Sequence, residues 1–166
     1  MSDILNYFEE LDKLDEALST NILYHRTTPN TAANILNENI LRVGGSYAFN
    51  TQVGKCICFS RDYNFVKTMP GNNYVIFVFD RDKLATKYKL EPITDYKNTM
   101  QFKGRYQGTS KAEEICFKDV ANMQKYITKI VINDELFDRF IEVLDKHSVE
   151  YNKEICTKAS EYKIGV

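Results

Sequence analysis

The stretch NILYHRTTP, Asn21 to Pro29, holds one of only two histidines in the chain, inside a run that otherwise reads as a β-strand. Side chains alternate across a strand, so Leu23, His25 and Thr27 share one face and Ile22, Tyr24 and Arg26 the other. The imidazole and the threonine hydroxyl form a short polar row, able to accept and donate hydrogen bonds. Taken alone, that row favours a satisfied structural histidine over a ligand site. Thr28 and Pro29 end the strand and start a helix, since threonine suits the N-cap and proline the first helical position. That helix carries Ala32, Ala33, Ile35 and Leu36 and ends near Asn37–Ile40.

Upstream, residues 3–18 read as an amphipathic helix, with Ile4, Phe8, Leu11, Leu14 and Leu18 at three- and four-residue spacings. Downstream, RVGGSYAFNTQVGK (42–55) is a glycine-bearing loop, KCICFS (55–60) a short strand and RDYNFVKTM (61–69) helical. NYVIFVFD (73–80) is almost continuously apolar, as a central strand covered on both faces should be. DRDKLA (80–85) is a capped helical turn, YKLEPI (88–93) a short strand and residues 95–111 a polar loop. Strands follow at 113–118 and 127–132, then a helix capped by Asn133 or Asp134 and bearing Leu136, Phe137, Phe140, Ile141 and Leu144. VEYNKEICT (149–157) adds a last strand. The elements lack a regular βαβ alternation, which predicts an α+β fold with mainly antiparallel strands. One domain is expected over 1–166: an N-terminal helix (1–20), a core (21–132) and a C-terminal helix and tail (133–166).

Bulk properties narrow the function. The 166 residues are 43% hydrophobic and 27% charged with a net charge of −1, so no global basic field favours nucleic acid. No apolar run approaches the ~20 residues of a membrane span, and the acidic N-terminus lacks the features of a signal peptide. No phosphate-binding glycine motif is present. Cys56 and Cys58, two apart on one strand, are poorly placed for a mutual disulfide and lack the second cluster that a zinc site needs. With Cys116 and Cys156 they read as free thiols, which fits a reducing, cytoplasmic setting, and no metal site is expected.

Two further constellations carry polar groups. Ser60 ends a strand and Tyr63 lies three residues on, so a hydroxyl and an aromatic ring can face one side; the competing reading is a serine cap and a core tyrosine. Glu113 and Glu114 open a late strand on opposite faces, Glu113 with Ile115 and Phe117, Glu114 with Cys116 and Lys118. Glu113 is thereby the carboxylate directed to the interior or a cleft, where it needs a partner or a ligand; an exposed strand end is the alternative.

The order of these motifs resembles that of the ADP-ribosyltransferase superfamily, in its His-Tyr-Glu branch. The family's H-G-[ST] is similar to His25-Arg26-Thr27, its G-x-G-I-Y-F-A strand to GKCICFS (54–60) and its S-x-x-Y helix to Ser60–Tyr63. Its glutamate, apolar strand and later Lys-Tyr pair resemble Glu113 through Lys125-Tyr126. The resemblance spans roughly residues 22–132. Arg26 replaces the family glycine, and Cys58 stands where the triad tyrosine is found.

The resemblance implies a split β-sandwich gripping NAD and transferring ADP-ribose with loss of nicotinamide, as in small bacterial or phage-type mono-ADP-ribosyltransferases that act as toxins or counter-defence factors. It casts Glu113 and His25 as the catalytic residues, with Glu114 the alternative carboxylate. His25 would hold the adenosine-side ribose, and Thr27, Ser60 and the Arg26 backbone the nicotinamide end, with Tyr63 stacked on its ring. The expected partners are NAD and an acceptor, a protein first and a nucleic acid second, with no membrane. The alternatives are a degenerate fold member that binds NAD or a nucleotide without turnover, a partner-binding protein, and an NAD-dependent RNA 2′-phosphotransferase.

Overall fold

The computed structural model describes residues 4–7, 9, 21–44, 49–51, 55–93, 100–102 and 113–165. In chain order the elements are β1 (Ile22–Thr27), α1 (Pro29–Glu38), β2 (Ile40–Leu41), β3 (Phe49–Thr51), β4 (Ile57–Ser60) and α2 (Tyr63–Lys67). Then come β5 (Val75–Asp80), α3 (Arg81–Ala85), β6 (Glu91–Pro92), β7 (Met100–Phe102), β8 (Glu113–Cys116) and β9 (Val120–Ala121). The described chain ends with β10 (Ile127–Ile132), α4 (Phe137–Lys146) and β11 (Cys156–Lys158).

Seven strands form one sheet in the order β11-β10-β5-β1-β4-β8-β6. Every pairing is antiparallel except β10 with β11, which is parallel. The fold is thus α+β with a mainly antiparallel sheet and flanking helices, as the sequence predicts. The last strand, expected within 149–157, is β11 at the end of that stretch, and it joins the sheet beside β10. Strands β2 and β9 form a small ladder of their own, as do β3 and β7. The β3–β7 ladder lies in two segments expected to be loops; most of the remainder of those segments is outside the described residues.

Strand β5 is buried from Val75 to Phe79 on both faces, which explains its lack of alternation. On one face of the sheet, Leu23, Phe77, Phe79 and Ile130 pack with Leu36 of α1 and Phe140 and Leu144 of α4. On the other, Tyr24, Ile76, Val78 and Val131 pack with Tyr63 and Val66 of α2 and with Tyr162. Helix α1 begins as expected: Thr28 accepts a hydrogen bond from the Thr31 amide, and Pro29 occupies the first turn. It ends at Asn39, whose φ of 54° is the left-handed C-cap conformation that asparagine tolerates.

Residues 4–7 and 9 are helical, and the side chains of Ile4, Leu5 and Tyr7 are exposed. The rest of the expected 3–18 helix lies outside the described residues. Among the described residues no helix is long and apolar enough to cross a membrane.

The feature that positions the site is a fork between β1 and β4. Strand β1 pairs with β5 along all six residues, but with β4 only at Tyr24↔Ser60. Beyond that row the strands part, dividing the sheet into β11-β10-β5-β1 and β4-β8-β6.

Candidate active site in the fork

The fork opens on a cavity of about 870 Å³. Of the residues singled out from the sequence, His25, Arg26, Thr27, Ser60 and Glu113 all line it, together with Cys58. They come from three strands, brought together by the row Tyr24–Ser60–Glu113 that crosses β1, β4 and β8.

His25 is the first β1 residue past the row and bridges the parting strands. Its Nδ1 lies 2.9 Å from the carbonyl oxygen of Cys58 on β4. A carbonyl only accepts, so Nδ1 carries the proton and Nε2 of the neutral ring is an acceptor. Burial lowers the imidazole's pKa, and the bond to Cys58 offsets this only in part, so the neutral form prevails near pH 7. The ring also stands edge-on to Phe59, with centroids 5.9 Å apart.

Glu113 is 6% exposed, and among the described residues its Oε2 is a buried oxygen without a hydrogen-bond partner. Desolvation alone pushes its pKa up to about 7. Ser60, opposite it on β4, is 4% exposed and accepts a hydrogen bond at Oγ from the Asp62 amide. An orphaned, buried carboxylate on a cavity is costly for the fold and is the most distinctive chemical group of the site.

Glu114 is equally buried but differently used. Arg81 donates to both of its oxygens (Nε to Oε2, 2.8 Å; Nη2 to Oε1, 2.7 Å), and Arg61 donates to Oε1 at 3.0 Å. Burial raises its pKa, but the arginines outweigh that and hold the carboxyl below the usual range. Glu114, expected as the alternative catalytic group, is absent from the cavity lining, and its oxygens are taken up by guanidinium groups.

Of the two readings of Ser60 and Tyr63, the core tyrosine is the one seen, without the serine cap. The N-cap of α2 is Asp62, not Ser60; its carboxylate accepts from the Phe65 amide. The helix therefore starts at Tyr63, whose ring packs against Tyr24 and Tyr162 at centroid distances of 5.3 and 4.8 Å. Tyr63 is 5% exposed and does not line the cavity; Phe65, on the same helix, does. The side chain of Arg26 turns away from His25. Its guanidinium donates to the carbonyls of Val66, Lys67, Pro70 and Gly71 and lies 4.4 Å from the Tyr74 ring centroid. It clamps the end of α2. Tyr126 is 2% exposed and edge-on to Tyr88, and the exposed Lys125 lies over its ring, 5.5 Å from the centroid.

Sequence reasoning missed Phe65, Arg61 and Arg81. Phe65 and Arg61 stand within the quoted RDYNFVKTM, but no spacing rule distinguishes a ring or a cation aimed at a site from one on a surface. Among the described residues no group of three or more His, Cys, Asp or Glu side chains is gathered as for a metal ion.

No protein-family model matches the chain, and no curated protein matches it in sequence. Solved structures do. DarT of Thermus sp. 2.9 in complex with carba-NAD+ superposes with a TM-score of 0.56 at 10% identity, covering 87% of this chain and 99% of that one. The same protein in complex with NAD+ gives 0.55 at 10% identity, over 87% and 98%. In complex with ADP-ribosylated single-stranded DNA it gives 0.54 at 9% identity, over 86% and 96%. This chain therefore shares the fold of DarT, with a fork in its sheet and beside it a buried carboxylate oxygen that has no partner among the described residues.

Proposed function

We propose that the chain is an NAD-dependent ADP-ribosyltransferase whose catalytic carboxylate is Glu113. The observation that carries the reading is the orphaned Oε2 of Glu113 on the cavity of a fold shared with NAD-bound proteins. In the reaction the bond from the ribose to the nicotinamide nitrogen breaks, its electron pair leaves with nicotinamide, and positive charge develops on the ribose. A carboxylate held in a low-dielectric cleft stabilises that charge strongly because little water competes. With a pKa of about 7, Glu113 is also suited to taking the acceptor's proton near neutral pH.

The neighbouring groups take supporting roles. Nε2 of His25 accepts a hydroxyl of the adenosine-side ribose. Thr27, Ser60 and the Arg26 backbone hold the nicotinamide end, where Phe65 replaces Tyr63 as the ring available for stacking. The acceptor we propose is a single-stranded nucleic acid, because a structure of similar fold holds ADP-ribosylated single-stranded DNA; nothing comparable favours a protein acceptor.

The test is incubation with NAD labelled in its adenylate phosphate, alone and with single-stranded DNA, RNA or protein, while nicotinamide release is followed. Label on a nucleic acid with stoichiometric nicotinamide supports the proposal in full. Label on protein alone overturns the acceptor. NAD binding without nicotinamide release makes the chain a binder rather than an enzyme.

A further inference from the structure

Adjacent on β8, the two glutamates have opposite environments. Glu113 faces the cavity, and Glu114 lies in the ion cluster with Arg61 and Arg81. Where those arginines come from matters. Arg81 opens α3 directly after β5, and its amide donates to the carbonyl of Asn21, just before β1, at 2.9 Å. It therefore belongs to the β5–β1 half of the sheet. Arg61 directly follows Ser60 on β4, in the half that also contains β8. The Glu114 carboxylate thus joins one half of the forked sheet to the other: Arg61 and Arg81 stand on the closed side of the Tyr24–Ser60–Glu113 row, and Glu114, paired with Phe59, is one residue to its open side.

Among the described residues, three other polar links cross that divide near the vertex. One is the single Tyr24↔Ser60 row, and one is the His25–Cys58 bond. A third, the Arg26 clamp, reaches α2 rather than a strand. The Arg81–Glu114 pair is bidentate, and a bidentate guanidinium–carboxylate pair fixes distance and plane together. Its stability value is small, since the cost of desolvating two charges cancels much of their attraction. Its value is geometric.

Resting on the transferase reading above, we infer that the Arg81–Glu114 ion pair is a latch across the fork that sets where Glu113 stands in the cavity. Glu114 and Arg81 are then positioning residues for the transfer. The backbone that carries Glu114 is the backbone that carries Glu113, so an Arg81 that holds the first carboxylate aligns the second with His25 and Ser60. Relaxing the latch lets β8 drift with the half-sheet it belongs to. Displacement of a reacting group by about 1 Å costs on the order of 100-fold in rate.

The variants are Arg81→Lys, which keeps the charge but loses the two-pronged geometry, and Glu114→Gln, which keeps the shape but loses the charge. Two readouts are taken. One is steady-state nicotinamide release, separated into kcat and KM for NAD. The other, independent of turnover, is the NMR titration of the Glu113 carboxyl together with hydrogen exchange of the Tyr24 and Ser60 amides. The latch predicts a fall in kcat on the order of 10- to 100-fold with KM little changed. It also predicts faster exchange at the fork amides and a Glu113 midpoint that falls towards ordinary carboxylate values as water enters. Glu114→Gln leaves two cations sharing a neutral amide; should it not fold, Arg81→Lys decides alone. Folded variants that leave the Glu113 titration and fork exchange unchanged overturn the latch, as does an unchanged kcat. A wild-type protein that releases no nicotinamide refutes the transferase reading, and the NMR readout still decides the latch.

Discussion

Replacing Glu113 by glutamine should stabilise the protein at alkaline pH while disabling it. The carboxyl is 6% exposed, and desolvation raises its pKa from 4.5 to about 7. Between those values the folded protein holds a proton that the unfolded chain has released. Stability attached to this group therefore falls as pH rises from about 4.5 to about 7, and the whole cost is present above pH 7. At about 1.36 kcal/mol per pKa unit the penalty is on the order of 3 kcal/mol. Glutamine does not titrate, so the variant escapes it. Its extra amide donor costs about 1–3 kcal/mol if it finds no acceptor. That second cost is independent of pH, so the difference in unfolding free energy between variant and wild type should grow by about 3 kcal/mol in the variant's favour from pH 4.5 to pH 8. Urea denaturation of both proteins at several pH values measures it, and contributions from all other titrating groups cancel in the comparison. A pH-independent difference would refute the claim that Glu113 is buried without a partner. The same variant should lose on the order of 10²–10³ in nicotinamide release.

Other outcomes follow from the same geometry. The acid limb of kcat/KM for NAD should have its midpoint near pH 7, since Glu113 must be ionised in the free enzyme, and the limb should vanish in the residual activity of Glu113→Gln. Tyr63→Phe should leave NAD affinity unchanged by calorimetry and should be neutral or slightly stabilising in denaturation, because its buried hydroxyl has no partner among the described residues. Phe65→Ala should weaken NAD binding by about 1–3 kcal/mol in the same titration, the usual worth of an aromatic stack. Arg26→Lys should lower stability by about 1–3 kcal/mol in denaturation, because one ammonium cannot reproduce a guanidinium that reaches four carbonyls and a tyrosine face.

Much of this fold was legible because its elements have strong local signatures. The Thr28-Pro29 start of α1, the apolar run of β5 and the spacing of Phe140, Ile141 and Leu144 in α4 each reflect interactions within a few residues. Strand alternation also separated Glu113 from Glu114, though for an incomplete reason. Both faces of β8 are buried, and what distinguishes the two carboxylates is a pair of arginines 53 and 33 residues from Glu114 in sequence. No local pattern encodes those contacts. The surroundings of Tyr63 were illegible on the same grounds. Serine–tyrosine spacing suggested a shared face, but Asp62 takes the cap and a tyrosine from the far end of the chain supplies the surface on which Tyr63 packs. The fork itself is invisible in sequence, since it depends on where two strands distant in sequence stop pairing.

The parallel strand β11 has a consequence for how this protein behaves among its own copies. Its neighbour β10 reads ITKIVI, with Ile130, Val131 and Ile132 fully buried. Without β11 that strand would be the rim of the sheet, offering open amides and carbonyls to any extended chain it met. Residues Cys156–Lys158 occupy those groups with a strand only three residues long, half-exposed, and ending in a lysine. A short, charged rim is a poor template for further pairing. The chain's last strand thus serves as a guard against self-association, sited at the opposite end of the sheet order from the half that carries Glu113.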